Sequence, residues 1–256
     1  MKNKILKEDV VKANKEFYNL EAEEYLENEY YAYTNSIKKD VLKNLKLCAE
    51  NSESNDKFLD VACGSGFLSK IVDDNNIFKN GIGVDISEKQ VELYNKNINN
   101  ESFNAQVADV TKLELTDNSI DVAAGYSVLH HFFSYYEVLN EITRVLKPGG
   151  IIYFDFEPNS KFQKKMKFLI KLRRKILDNK SNDSLSELES MAEYHNNYEP
   201  GINVDDLVHF LSKDYEIIKV GTRIPEHNKL MSCIFYVLSK VSFSFSPNFF
   251  IIAKKK

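Results

Sequence analysis

The chain has 256 residues, enough for one substantial core with a small cap, and a formal net charge of −4 that excludes a whole-molecule polyanion binder. Charged residues make up 28 % and apolar residues 43 %, and no apolar run reaches the ~18 residues needed to span a bilayer. The first eight residues contain no apolar signal core, and Cys48, Cys63 and Cys233 stand too far apart for a disulfide framework or a metal-spaced pair. A reduced, cytoplasmic protein without a metal is expected.

In chain order, residues 8–47 carry a helical apolar pattern and an aromatic cluster of Phe17, Tyr18, Tyr25, Tyr30, Tyr31 and Tyr33. A polar loop follows at 50–56. Strands and helices then alternate: strand 58–62, helix 67–74, strand 81–85, helix 88–98, strands 103–108 and 120–125, helix 135–146, strand 150–156. Ser87 is placed to cap the helix after it, with Gln90 at the capping-box position. The alternation predicts a Rossmann-like, doubly wound, mostly parallel sheet with helices on both faces. Ligands of such sheets sit beyond the C-terminal strand ends, where Asp60, Asp85, Asp109, Tyr126 and Asp155 all fall.

The densest signal is Asp60-Val61-Ala62-Cys63-Gly64-Ser65-Gly66, an apolar strand that ends in an acid and enters a glycine turn before a helix. The next strand also ends in an acid, Asp85, suited to accept two ribose hydroxyls. A nicotinamide-dinucleotide fold shares both features, but its third glycine would fall at position 69, which is Ser69. Asp109-Val110 after the third strand, Tyr126-Ser127-Val128-Leu129-His130-His131, and Lys147-Pro148-Gly149-Gly150 before the fifth complete an ordered set. Over residues 58–156 this set resembles the class I S-adenosylmethionine-dependent methyltransferases of small-molecule type.

The resemblance implies S-adenosyl-L-methionine as cofactor. Gly64 and Gly66, with Ala62, would lie against its methionine part, and Asp60 would hold the amino-acid end. Asp85 would bind the ribose, Ile86 would pack on adenine, and Asp109 would accept from the adenine amino group beside the Val110 N–H. Tyr126 would line the methionine channel. Tyr25 matches the last tyrosine of a Tyr-x-x-x-Ala-x-x-Tyr segment that borders the site in many relatives. His130 and Asp155 fall where some sugar O-methyltransferases carry a base and its orienting acid; His131 is the other candidate, and the pair is equally suited to capping the next helix. The family also closes its sheet with an antiparallel last strand, expected near 248–253.

Domains expected on this basis are an N-terminal helical segment (1–50), a core (51–156 and 214–256) and a cap insertion (157–213). The activity implied is methyl transfer to a small molecule or glycan, chiefly at oxygen. A lipid-linked acceptor, a non-catalytic cofactor-binding protein and a nicotinamide enzyme stay open. Nucleic acid is disfavoured, because the basic charge is confined to residues 161–176. That basic, amphipathic stretch suits either a solvated cap helix or an anionic membrane surface. The apolar run 230–245 suits a buried helix or the same surface.

Overall fold

The computed structural model describes residues 5–22, 32–167, 183–199, 201–226 and 228–256. Its elements are α1 (Lys7–Leu20), α2 (Asn35–Asn51), β1 (Lys57–Val61), α3 (Phe67–Asp74), β2 (Asn80–Asp85), α4 (Glu88–Asn97), β3 (Phe103–Val107), β4 (Ile120–Tyr126), a 3-10 turn (Leu129–His131), α5 (Tyr135–Val145) and β5 (Leu146–Pro158). Then come α6 (Asp183–Ala192), α7 (Tyr194–Asn197), α8 (Val204–Leu211), β6 (Tyr215–Arg223), α9 (Lys229–Val241), a second 3-10 turn (Phe243–Phe245) and β7 (Asn248–Lys255).

The seven strands form one sheet in the order β3-β2-β1-β4-β5-β7-β6. β1 to β5 pair in parallel, and β7 runs antiparallel between β5 and β6. The sheet is Rossmann-like and doubly wound, as the alternation predicts. Side chains alternate across it. Leu59, Val61, Ala123, Ile152 and Phe154 join α5 and α8 on one face, whereas Phe58, Val122, Ile151 and Tyr153 join α2, α3 and α4 on the other. Being covered on both faces, β4 is buried along its whole length. The Ser87 hydroxyl caps α4 by accepting from the Gln90 N–H at 3.2 Å.

One irregularity decides the site. Phe156 takes φ +62° and the β5–β7 register shifts between Phe154 and Glu157. The extra residue turns Glu157 to the α5 face, while Asp155 stays with Tyr153 on the α2 face.

Beyond β5 the structure departs from the expected domains. Residues 168–182 of the expected cap lie outside the described residues. Val204, Leu207 and Leu211 of α8 are buried in the main core, so the part of the cap nearest β6 is a layer of the core. α9 is not the buried helix its composition allows: Leu230, Met231, Ile234, Tyr236, Val237 and Val241 are exposed. Among the described residues no helix is long and apolar enough to cross a membrane.

Candidate active site

The turn after β1 is held in a left-handed backbone at Ala62 (φ +48°), Gly64 (+50°) and Gly66 (+94°). At Gly66 the absence of a side chain answers to packing: a Cβ there would lie 2.9 Å from Ile98 and 3.0 Å from Tyr94. The Gly64 N–H donates to Asp85 Oδ2 at 2.9 Å, and the Ser87 N–H donates to Oδ1 at 2.9 Å. Asp85 is thereby fixed with a lone pair on each oxygen still available. Asp60 Oδ2 accepts from the Ser69 N–H at 3.0 Å and its hydroxyl at 2.6 Å. The residue that breaks the dinucleotide pattern therefore anchors the acid before the turn. Asp109 Oδ1 accepts from the N–H and hydroxyl of Thr111 at 2.9 and 2.8 Å.

These pieces converge. Asp60, Ala62, Gly64, Asp85, Ile86, Asp109, Val110 and Tyr126 line one cavity at the C-terminal ends of the strands. Tyr126 is braced by Phe67 at 4.7 Å and Phe156 at 5.4 Å between ring centroids, and its hydroxyl donates to the Ala32 carbonyl. Helix α1 covers the cavity through Val10, Val11, Asn14 and Tyr18. It is tied down by Asn19, whose Oδ1 accepts from the Ser87 hydroxyl at 2.7 Å, and by ion pairs from Lys7 to Glu137 and from Lys15 to Glu88. Burial raises Asp60 to about 7, the nearby Asp85 charge adding to it against the Ser69 hydrogen bonds. Burial also raises Asp85, against the Ser87 and Gly64 N–H groups. Two buried acids facing one cavity favour a cationic ligand, which would pair with their charged forms.

At the α5 end lies a histidine pair. Glu157 is fully buried: Oε1 accepts from the Val128 and Leu129 N–H groups at 2.8 Å each, and Oε2 meets His130 Nδ1 at 3.0 Å. His130 Nε2 faces Glu193 Oε2 at 3.4 Å. Burial alone would depress His130, but Glu193 and Glu157 overcome it and raise it to about 10. His131 is depressed by burial and by the neighbouring His130 charge. Its Nε2 lies 2.9 Å from the Ser127 carbonyl and its Nδ1 3.0 Å from the Ala192 carbonyl, with the Tyr18 hydroxyl at 3.2–3.3 Å from both nitrogens. His131 and Tyr18 line the cavity.

Residues 59–154 match the methyltransferase domain family. Similar proteins include the 27-O-demethylrifamycin SV methyltransferase of Amycolatopsis mediterranei, 35 % identical over 100 residues, 37 % of this chain and 36 % of that protein. The demethylmenaquinone methyltransferase of Staphylococcus saprophyticus is 38 % identical over 109 residues, 40 % of this chain and 45 % of that protein. The chain thus spans less than half the length of these curated relatives. In fold it is similar to the magnesium protoporphyrin IX methyltransferase of Synechocystis with bound SAH, at TM-score 0.61 and 12 % identity over 96 % of this chain and all of that one. Residues 59–154 thus match a methyltransferase domain, and the whole chain shares the fold of that neighbour.

The cavity gathers the residues expected to bind the cofactor, with two exceptions. Gly66 shapes the turn without itself lining the cavity, and Tyr25 lies outside the described residues. Tyr33, expected to serve only packing, does line it.

The expected pairing of His130 with Asp155 is not what forms. Asp155 is bound bidentately by Arg223, with Nε donating to Oδ1 at 2.8 Å, and it also accepts from the Tyr153 hydroxyl. The bulge at Phe156 separates it from the histidines and brings Glu157 to His130 instead. His130 does not line the cavity and both its nitrogens face carboxylates, so it is not placed as a base toward an acceptor. His195 is buried edge-on to Tyr135.

Glu157 and Arg223 carried no motif in the sequence, and Glu193 only its place in the polar aromatic run 191–201. The one signal for Glu157 was an acid two residues past Asp155, which strand alternation assigns to the wrong face.

Proposed function

We propose that this chain transfers the methyl group of S-adenosylmethionine to a hydroxyl oxygen of a small molecule or glycan. The observation that carries the reading is the meeting of Asp60, Asp85 and Asp109 in one cavity around a left-handed turn. Asp85 would accept from the ribose hydroxyls, Asp109 and the Val110 N–H would meet the adenine edge, and Ile86 would pack on its face. Asp60 would balance the amino-acid ammonium. Bound there, the sulfonium supplies an electrophilic methyl group with a neutral thioether as leaving group. The protein's share is then to bind, align and exclude water: α1 closes the cavity, Tyr126 lines the channel, and Tyr18 and His131 mark the acceptor end. The oxygen acceptor is supported by this polar acceptor end and by similarity to a rifamycin O-methyltransferase.

The test is S-adenosylhomocysteine release from labelled cofactor across a panel of phenols, hydroxylated sugars and lipid-linked glycans, preceded by thermal shift with S-adenosylhomocysteine and NAD. Stabilisation by the former and turnover with at least one acceptor are expected. Stabilisation by NAD alone would overturn the cofactor reading. Tight cofactor binding without turnover would favour the non-catalytic reading.

A membrane-proximal acceptor is the second reading, favoured by one surface. The exposed apolar face of α9 stands beside helical residues 160–167, through the Phe162–Phe235 ring contact (5.1 Å) and Lys165, which reaches Ser244 Oγ at 2.6 Å. Apolar side chains rimmed by lysines match an anionic lipid surface.

A further inference from the structure

We propose that His130, His131 and Glu193 bind a divalent transition-metal ion of the zinc kind at the acceptor end of the cavity. Each brings one ligand atom into a set lying within 4.8 Å of one another.

The first support is the anchoring of both rings. A metal-binding histidine usually donates its other N–H to a carboxylate or a backbone carbonyl, which fixes the tautomer and aims the ligand nitrogen. His130 Nδ1 has the Glu157 carboxylate at 3.0 Å, leaving Nε2 toward Glu193. His131 Nε2 has the Ser127 carbonyl at 2.9 Å, and Nδ1 stands between the Ala192 carbonyl at 3.0 Å and Glu193 Oε1 at 3.6 Å. Glu157 is itself held by two backbone N–H groups, so the support beneath His130 is rigid.

The second support is spacing. Glu193 Oε2 lies 3.4 Å from His130 Nε2, and Oε1 lies 3.6 Å from His131 Nδ1. Charge-assisted N–H···O bonds close to about 2.7–2.9 Å, so both separations are long for ion pairs. Ligands about 2.0–2.2 Å from a tetrahedral zinc ion stand about 3.3–3.6 Å apart; the two separations here are to different oxygens of Glu193, so its carboxylate has to turn one oxygen between the two nitrogens to close the set. The Ala192 carbonyl at 3.0 Å from His131 Nδ1 competes by accepting a proton there. The metal requires the tautomer with the proton on Nε2, which Ser127 accepts.

Two imidazoles and one carboxylate are the protein ligands of a catalytic rather than a structural zinc set, whose fourth position goes to water or substrate. The Tyr18 hydroxyl lies beside the cluster on the cavity side, 3.2–3.3 Å from both His131 nitrogens and 3.4 Å from Glu193 Oε1. The ligand class that follows, resting on the methyl-transfer reading, is an acceptor hydroxyl or phenol whose oxygen coordinates the ion. No motif of metal spacing exists in the sequence, because α6 brings Glu193 from more than sixty residues beyond the histidines.

The test is titration of the full untagged chain with Co(II), followed by its visible ligand-field absorption, with Zn(II) competition and elemental analysis. One equivalent with an intense tetrahedral-type band, displaced by Zn(II), is expected. Glu193→Gln should weaken binding at least ~100-fold, and it keeps the fold because that side chain is only partly buried. Glu157→Gln should weaken it by ~10–100-fold, the usual effect of a supporting group. No band with wild-type protein, or unchanged binding in Glu193→Gln, would overturn the site. A chain that takes up Co(II) without binding S-adenosylhomocysteine would keep the site and reject the methyl-transfer reading; the reverse result would do the opposite.

Discussion

Asp85 and Asp60 are both buried acids, yet their surroundings give them different tasks. Asp85 is held by two backbone N–H groups and has lone pairs to spare, so Asp85→Ala removes a prepared acceptor pair. Loss of one charge-assisted hydrogen bond costs roughly 1.5–3 kcal/mol, so affinity for S-adenosylhomocysteine in calorimetry should fall at least ~10-fold. Asp60 is defined by its raised pKa, about 7 against 3.8 for an ordinary aspartate. Between these values the folded protein binds a proton that the unfolded chain does not, so this group's stabilisation is complete below about pH 4 and is lost as pH rises through 7. Asp60→Asn removes that dependence while its oxygen still accepts from the Ser69 N–H. In denaturation across pH 4–8 the variant should therefore gain on the wild type as pH rises, by ~2–4 °C in Tm for each kcal/mol recovered. Its cofactor affinity should move oppositely: wild-type binding strengthens through pH 7 as the carboxylate forms, and the variant stays flat and weak. A wild-type affinity flat across that range would remove Asp60 from the ammonium site.

At the level of elements, the bulge in β5 sends two acids to opposite faces, and each organises a different neighbourhood. Glu157 caps the 3-10 turn after β4 and holds His130. Asp155 ties β5 to β6 through Arg223, and Arg223 reaches on to Asp40 of α2 at 3.1 Å. Removing one partner of a buried ion pair leaves an uncompensated charge and costs about 3–5 kcal/mol. Arg223→Met should therefore lower stability by that amount, read by denaturant unfolding, while turnover per folded molecule stays close to normal. Asp155→Asn should behave alike. A large fall in turnover without a loss of stability would instead return Asp155 to the catalytic role its position in the sequence suggests. Expected elements match observed ones closely where periodicity carries the signal: helix 67–74 was legible to the residue, and strand 120–125 ends one residue further on, at Tyr126. The bulge was not legible, because Phe156 is an ordinary strand residue and its positive φ accompanies a register shift against β7 that no local pattern records.

For the whole molecule, the apolar face of α9 and the adjoining lysines define the partner question. If this face meets anionic lipid, sedimentation with vesicles should rise with anionic lipid content and fall with salt, screened over about 10 Å at 0.1 M. Val237→Glu with Val241→Glu should abolish it and leave cofactor binding intact, since both side chains are exposed and neither lines the cavity. No sedimentation of the wild type at low salt would confine the chain to water-borne acceptors.

The sequence by itself determined the doubly wound sheet, its order of strands and helices along the chain, and the strand-end acids that meet in the cavity. Those features depend on local patterns: apolar runs of strand length, acids at strand ends, and glycines where the backbone turns left-handed. Tertiary structure alone decided the histidine end of the cavity. Which acid meets His130 depends on a bulge set by the pairing of β5 with β7. Which carboxylate faces both histidines depends on α6 packing against α1, far along the chain. The burial that raises Asp60 exists only once α3 closes over the turn, because a pKa responds to surroundings that no local pattern encodes.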